Sequence, residues 1–268
     1  MSNVPKPERK YEGAAEYYSR YRPRYPSALV TVLRETFRLD GRGQLLDLGS
    51  GPGSVAIPVA HLFGHVVAMD PETDMLREGR AVAGRAGIEN IEWVCGSSED
   101  LSPSLGTFRL VTMGESFHWM DRGRTLEALY DLVNIDGGVA ILGRGMPLPL
   151  PPMTPWRAAV VSIVRHYLGE RPLPWDQEPP PPEELHEAYL KRSRFRDLTE
   201  HHELFDVEWT VESIIGNLYS MSFCNRKLLG ERAAAFERDL RSAILAVEPS
   251  GILRGEPQQF FAKMGFKR

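Results

Sequence analysis

Residues 44–56 read QLLDLGSGPGSVA. An apolar run over 44–48 leads straight into three glycines, Gly49, Gly51 and Gly53, and then into a segment of helical composition. Glycines at alternate positions let the chain turn tightly and let a ligand reach the backbone with no Cβ in the way. A dinucleotide-phosphate fingerprint, G-x-G-x-x-G, needs its third glycine at position 54, where Ser54 stands, so the spacing speaks against a pyrophosphate. Asp47, just ahead of the turn, sets a carboxylate where a phosphate would be repelled and an ammonium group attracted.

Outward from this turn the pattern repeats. Short β-branched or apolar runs at 65–70, 91–95, 108–113 and 138–142 alternate with helix-like segments at 54–63, 72–86 and 122–133, the last capped by Asp121. The alternation predicts parallel strands joined by right-handed helical crossovers in a doubly wound α/β sheet. The second run ends in Asp70, 17 residues beyond Gly53, at the carboxyl edge where a carboxylate can grip the hydroxyl pair of a ribose.

The flanking sequence has a different character. An aromatic and basic segment, YEGAAEYYSRYRPRYP, precedes a predicted helix over 27–37. After the fifth run come MPLPLPPMTPW, an apolar helix over 156–168, a Pro-rich run over 172–182 and a charged helix over 183–194. About 50 residues separate the fifth run from the next strand-like stretch, 198–209, where such connections usually take about 2–6. That insertion predicts a cap over the site. Helices over 211–220 and 226–247 follow, and a last run, 258–265, reads as an edge strand. The expected division is an N-terminal helical lid (1–40), a cofactor-binding core (41–145), a cap insertion (146–197) and C-terminal elements completing the sheet (198–268).

Composition removes several classes of function. With 36 acidic against 32 basic residues the net charge is −4, so no global positive field is available to hold a phosphate backbone. Two cysteines, Cys95 and Cys224, make no disulfide framework and no zinc-ligand spacing, and no metal is expected. No stretch approaches the roughly 18 apolar residues of a membrane span, and no signal-type leader opens the sequence, so a cytoplasmic protein is expected.

LLDLGSGPG, VVAMDPETDML, CGSSEDL and the DGG of residues 136–138 together resemble the class I S-adenosylmethionine-dependent methyltransferases, in the broad branch acting on small molecules. The resemblance runs over roughly residues 40–145. It implies a mostly parallel, seven-stranded Rossmann-like sheet whose last strand runs antiparallel, and S-adenosylmethionine as cofactor. It also implies site residues: Asp47 with the backbone of Gly49, Ser50, Gly51 and Gly53 at the methionine end, and Asp70 on the ribose hydroxyls. Pro71 and Met75 would flank the adenine, with Ser97, Ser98 and Glu99 at its edge; many members carry Asp where Ser97 stands. YYSRYRPRYP is similar to the entry motif of the trans-aconitate-type branch, which implies Tyr18 and Arg22 closing over the cofactor.

After the fourth run the chain reads MGESFHWMD, at the carboxyl end of a central strand where a methyl donor seated on the glycine turn would point. His118 is the candidate base for an acceptor hydroxyl, phenol or N–H. Glu115 is the second candidate, either in catalysis or on the cofactor's amino group, and Trp119 reads as a packing residue. The other histidines form no triad or metal pattern; Trp156, His166, Tyr167, Trp175, Tyr219, Met221 and Phe223 are secondary candidates for an acceptor pocket. The expected function is methyl transfer to the O, N or C nucleophile of a small molecule, with no nucleic-acid or membrane partner, by a monomer or homodimer. Methylation of RNA or protein, NAD(P)-dependent redox chemistry, and cofactor binding without catalysis stand as alternatives.

Overall fold

A computed structural model describes residues 13–145, 152–169, 173, 176 and 180–268. The chain divides into two compact units. A sheet unit draws on Pro23–Pro152, Gln177–Val207 and Arg254–Arg268, and a helical unit on Met1–Arg22, Met153–Asp176 and Glu208–Leu253.

The sheet unit holds seven strands: β1 (Gln44–Leu48), β2 (His65–Asp70), β3 (Ile91–Cys95), β4 (Phe108–Gly114), β5 (Val133–Gly145), β6 (Arg196–Phe205) and β7 (Gln258–Phe266). Their order in space is β3-β2-β1-β4-β5-β7-β6. β1 to β5 run parallel, and β7 lies antiparallel to both β5 and β6. This is the mostly parallel, doubly wound sheet that the alternation predicts. Its strand order reverses between β1 and β4, and a crevice at the carboxyl ends of such a pair is where open α/β sheets bind ligands.

Successive side chains leave a strand on opposite faces, so β1 feeds two cores. Leu45, Val66, Leu110 and Ala140 pack with Leu29, Leu33 and Phe37, which recur at helical spacing along α2 (Ala28–Phe37). Leu46, Val67, Val111 and Ile141 pack with Leu126 and Leu129 of α5 (Arg122–Leu132), on the other face. Asp121 caps α5 as expected, accepting the Arg124 N–H at 3.1 Å. The DGG motif also has a steric reason. A Cβ on Gly137 would meet the Arg109 carbonyl oxygen at 2.7 Å, and one on Gly138 would meet that of Gly265 at 2.3 Å.

Several expectations are corrected. The last run is an interior strand: Val139 pairs with Gly265 on one side of β7 and Thr199 with Met264 on the other. Alternate residues Phe260, Ala262 and Met264 are buried, while Lys263 between them is ion-paired with Glu187. β6 takes the edge. The stretch 198–209 is divided, because Trp209–Thr210 pairs with Ile252–Leu253 in a separate two-stranded ladder.

The helix expected over 54–63 contracts to α3 (Ala56–Val59) and a 3-10 turn, Ala60–Leu62; Pro58 brings no N–H to a longer ladder. α4 (Thr73–Arg85) keeps nearly its expected span. In the helical unit lie α1 (Ala15–Tyr21) and α6 (Pro155–Leu168). The charged helix over 183–194 is α7 (His186–Arg192), in the sheet unit; Leu185, extended at ψ 151°, parts it from the turn Pro182–Glu184. α8 (Val211–Tyr219) follows in the helical unit, and the helix expected over 226–247 breaks at Gly230 (φ +55°) into α9 (Arg226–Leu229) and α10 (Ala233–Val247).

The units also partition the flanks differently from the expected lid and cap. Residues 23–40 belong to the sheet unit because α2 packs on the sheet, and the insertion is shared, with 153–176 in the helical unit and 177–207 in the sheet unit. The Pro-rich stretch 146–151, Trp175 and much of 172–182 lie outside the described residues. Within the helical unit α1 meets α8 closely enough that a Cβ on Gly216 would come within 2.2 Å of the Tyr21 ring. Among the described residues no helix is long and apolar enough to cross a membrane.

Candidate active site

All three glycines of the turn after β1 adopt positive φ: +71° at Gly49, +54° at Gly51 and +82° at Gly53. The reasons differ. The N–H groups of Gly49 and Ser50 donate to the Met69 carbonyl at 2.8 and 2.9 Å, tying the turn to β2. A Cβ on Gly49 would lie 2.4 Å from Ser116 Cβ, and one on Gly53 would lie 2.7 Å from the Trp93 ring. At Gly51 a Cβ would meet nothing within 4 Å. The turn is therefore packed against protein at its two ends and open at its centre.

Two buried aspartates anchor this turn. Asp70 accepts the Gly51 N–H on Oδ2 and the Glu72 N–H on Oδ1, both at 2.8 Å. Burial raises its pKa, partly offset by these two bonds. Asp47 accepts the Ala56 N–H on Oδ2 at 3.0 Å and the Thr112 hydroxyl on Oδ1 at 2.8 Å. Its burial is nearly complete and pushes its pKa up to about 7, with Asp70 adding to the rise. In this geometry Asp47 joins β1, β4 and the start of α3.

The segment after β4 closes the third side. Ser116 donates from Oγ to the Leu48 carbonyl at 2.7 Å, locking the segment to β1. Glu115 stands at φ +56°, an unusual conformation for a residue with a side chain. Its N–H donates to the Leu142 carbonyl at 3.0 Å, and its carboxylate accepts the Arg144 N–H. The Arg144 guanidinium donates to the Pro23 carbonyl and lies 4.4 Å from the Tyr25 ring centre.

Beyond it a shallow cleft, open to solvent, is lined by Glu115, Phe117, His118, Arg144, His186 and Phe261, among others. Although His118 exposes surface, packing around its ring and the nearby Arg122 lower its pKa, so the imidazole is neutral at pH 7. His186 is pushed down to about 4, first by burial and then by the charges of His118, Lys263 and Arg122. Its Nδ1 is buried with no hydrogen-bond partner, a situation that costs about 1–3 kcal/mol. Among the described residues no group of three or more His, Cys, Asp or Glu is arranged to hold a metal.

Residues 45–137 match the methyltransferase domain family. Over these residues the chain carries a methyltransferase domain. A methyltransferase of Aspergillus terreus, pgmE, is 27% identical over 141 residues, covering 52% of this chain and 38% of its own. The chain spans about half the length, or less, of the curated relatives it matches. Among solved structures, a candidate type II methyltransferase of Anaeromyxobacter dehalogenans superposes with a TM-score of 0.56 at 21% identity, covering 92% of this chain and 98% of that one. A methyltransferase of Thiobacillus denitrificans, solved with S-adenosylhomocysteine, gives 0.51 at 12% identity over 94% and 96% of the two chains. At these identities the likeness is one of fold.

Within the methyltransferase domain the structure brings Asp47, Gly49, Ser50, Gly51, Gly53, Asp70 and Glu115 together at the carboxyl ends of β1, β2 and β4. Pro71 follows β2 directly, and Met75 is buried in the first turn of α4. Ser97 caps a short turn, Ser98–Asp100, by donating its N–H and Oγ to Asp100 at 2.8 and 2.9 Å. The Ser97 hydroxyl also holds the Glu99 carboxyl below its usual range.

Other candidates fall in the helical unit. There Arg22 donates from Nε to Ser220 Oγ at 2.8 Å, with its guanidinium 4.9 Å from the Tyr18 ring centre. Tyr219 is buried and donates to Glu237 at 2.9 Å, Tyr167 donates to Asp239 at 2.6 Å, and Trp156 is buried. Trp119, expected to pack, keeps 53% of its surface exposed. His186, one of the histidines that form no triad or metal pattern in the sequence, also lines the cleft: it opens a charged helix about 70 residues beyond His118, and no local motif marks it.

Proposed function

We propose that the chain binds S-adenosylmethionine on the glycine turn and transfers its methyl group to a small-molecule acceptor in the adjoining cleft. The observation that carries this reading is the Asp70–Gly51 hydrogen bond, which closes a cradle whose centre is open: there an added Cβ would meet no atom of the protein. The residues present fit the cofactor. Each Asp70 oxygen accepts one backbone N–H and keeps a lone pair for a ribose hydroxyl. The backbone is open at Gly51, between Gly49 and Gly53 that pack against protein, and Pro71 follows Asp70 directly.

Bound there, S-adenosylmethionine supplies a methyl group on an electrophilic sulfonium, so the protein's main task is to position the acceptor. Neutral His118 is able to accept a proton from an acceptor hydroxyl or N–H. The net charge of −4 favours a small molecule over a nucleic acid.

Incubation with methyl-labelled S-adenosylmethionine and, separately, small-molecule, RNA and protein fractions tests the reading. Label entering the small-molecule fraction supports it; label entering only RNA or protein, or none, contradicts it.

A further inference from the structure

The amino ends of the strands, opposite the glycine turn, gather side chains that methyl transfer does not use. Arg38, Arg42, Arg109 and Asn134 line one shallow recess, open to solvent, where α2 leads into β1 and where β4 and β5 begin. Three of the four are cations, in a chain whose net charge is −4. The carboxylate on the wall is Asp40, whose Oδ1 accepts the Arg42 backbone N–H at 3.1 Å. Among the described residues none of the three guanidiniums has an ion-pair partner. Like charges gathered in this way repel one another, and an anion held between them relieves the repulsion.

The backbone is shaped around Arg109. The pairing of β4 with β5 shifts register between Phe108 and Leu110, and an irregularity of this kind re-aims the side chain it carries. Gly43, at φ +74°, leaves room for the arginine stem, since a Cβ there would come within 3.1 Å of Arg109 Cβ. The guanidinium donates from Nη2 to the carbonyl of Phe37, the last residue of α2, at 2.8 Å. That bond orients the planar fork and leaves its other N–H groups for a ligand. Arg38, the next residue along, stands at φ +50°, in a position after a helix where glycine is the usual occupant.

We propose that this recess is an anion site, separate from the glycine turn, that takes the dianionic phosphate group of a small molecule.

The charges select this class. Three arginines against Asp40 leave a surplus of two positive charges, and a phosphate monoester carries about −1.5 to −2 at pH 7. Its three terminal oxygens meet several planar forks at once, which a single carboxylate with two oxygens does less well. Asn134 adds a neutral amide able to reach a bridging oxygen or a neighbouring hydroxyl. A nucleic-acid strand is disfavoured, because it needs a longer run of positive surface than a chain of net charge −4 supplies.

The test titrates the full chain by calorimetry with phenyl phosphate and with benzoate, at matched ionic strength in chloride. Saturable binding of phenyl phosphate is expected, with benzoate at least about tenfold weaker. Arg38→Gln combined with Arg42→Gln spares the Arg109–Phe37 bond and should weaken phenyl phosphate at least about tenfold, with an unchanged melting temperature. Arg77→Gln combined with Arg85→Gln removes the same charge from arginines that are ion-paired with Asp74 and Glu78, and should bind as the parent does. No saturable binding in the parent, equal affinity for benzoate, or equal weakening in the two double variants overturns the proposal. So does binding of a short RNA in place of phenyl phosphate. S-adenosylhomocysteine plays no part in these titrations, so the outcome and that of the methyltransferase reading are separate.

Discussion

Gly51 donates its backbone N–H to the Asp70 carboxylate at 2.8 Å, so the loop that leaves the first strand is held by the end of the second. The bond orients the carboxylate beside the one glycine of the turn that has open space over it. Loop shape and ligand recognition therefore depend on the same side chain.

Asp70→Ala should weaken S-adenosylhomocysteine binding roughly 10–100-fold, the worth of losing charge-assisted hydrogen bonds. Calorimetric titration of variant and parent checks this. Equal affinity would remove Asp70 from the ribose site.

Asp47 makes a prediction about pH. Its pKa rises from 3.8 to about 7 on folding. Between these values the folded chain keeps a proton that the unfolded chain has lost, so stability falls as pH rises through that window and the cost is complete above about 7. Asp47→Asn keeps an acceptor for the Ala56 N–H, and the Thr112 hydroxyl can turn to accept from the new amide. Denaturant titrations at several pH values should show the variant gaining on the parent as pH rises, by an amount on the order of a few kcal/mol. Parallel pH curves would contradict the shift.

Gly49 and Gly51 should separate folding from binding. Gly49→Ala combines a left-handed conformation with a 2.4 Å approach to Ser116 Cβ and should cost about 2–5 kcal/mol of stability. Gly51→Ala meets no protein atom and should cost only about 1–2 kcal/mol, yet lose cofactor affinity. Thermal melts with and without S-adenosylhomocysteine decide: a Gly51→Ala variant stabilised by ligand as strongly as the parent would contradict the cradle.

Much of the sheet unit was legible because its signals are local. The run 44–48, the glycines and Asp70 each act within a few residues of the element they define, and β1 to β3 fall where the alternation places them. What escaped depends on distant partners. β7, expected at the edge, is an interior strand, and its Lys263 finds its carboxylate partner in Glu187, 76 residues away. Gly230 breaks a helix whose apolar spacing is otherwise continuous, through a backbone angle that spacing does not encode. His186 reaches the cleft only because β6 and β7 return the insertion to the sheet. Asp47 stands out in the sequence just ahead of the glycine turn, while its bonds to Thr112 and Ala56 do not, since they join three separate elements.

His118→Ala should leave cofactor binding intact and slow methyl transfer by about 10²–10⁴-fold if the imidazole takes the acceptor proton. Because its pKa lies below the ordinary 6.5, the parent's single-turnover rate should fall only on acidification below that value, and the variant should lack this limb. A full rate in His118→Ala would end its role as base.

The most direct test of the central claim is calorimetric titration of the full chain with S-adenosylhomocysteine and, in parallel, NAD. The account predicts saturable binding of S-adenosylhomocysteine, displaced by S-adenosylmethionine, and no binding of NAD. Binding of NAD alone would contradict it and return the glycine turn to dinucleotide chemistry.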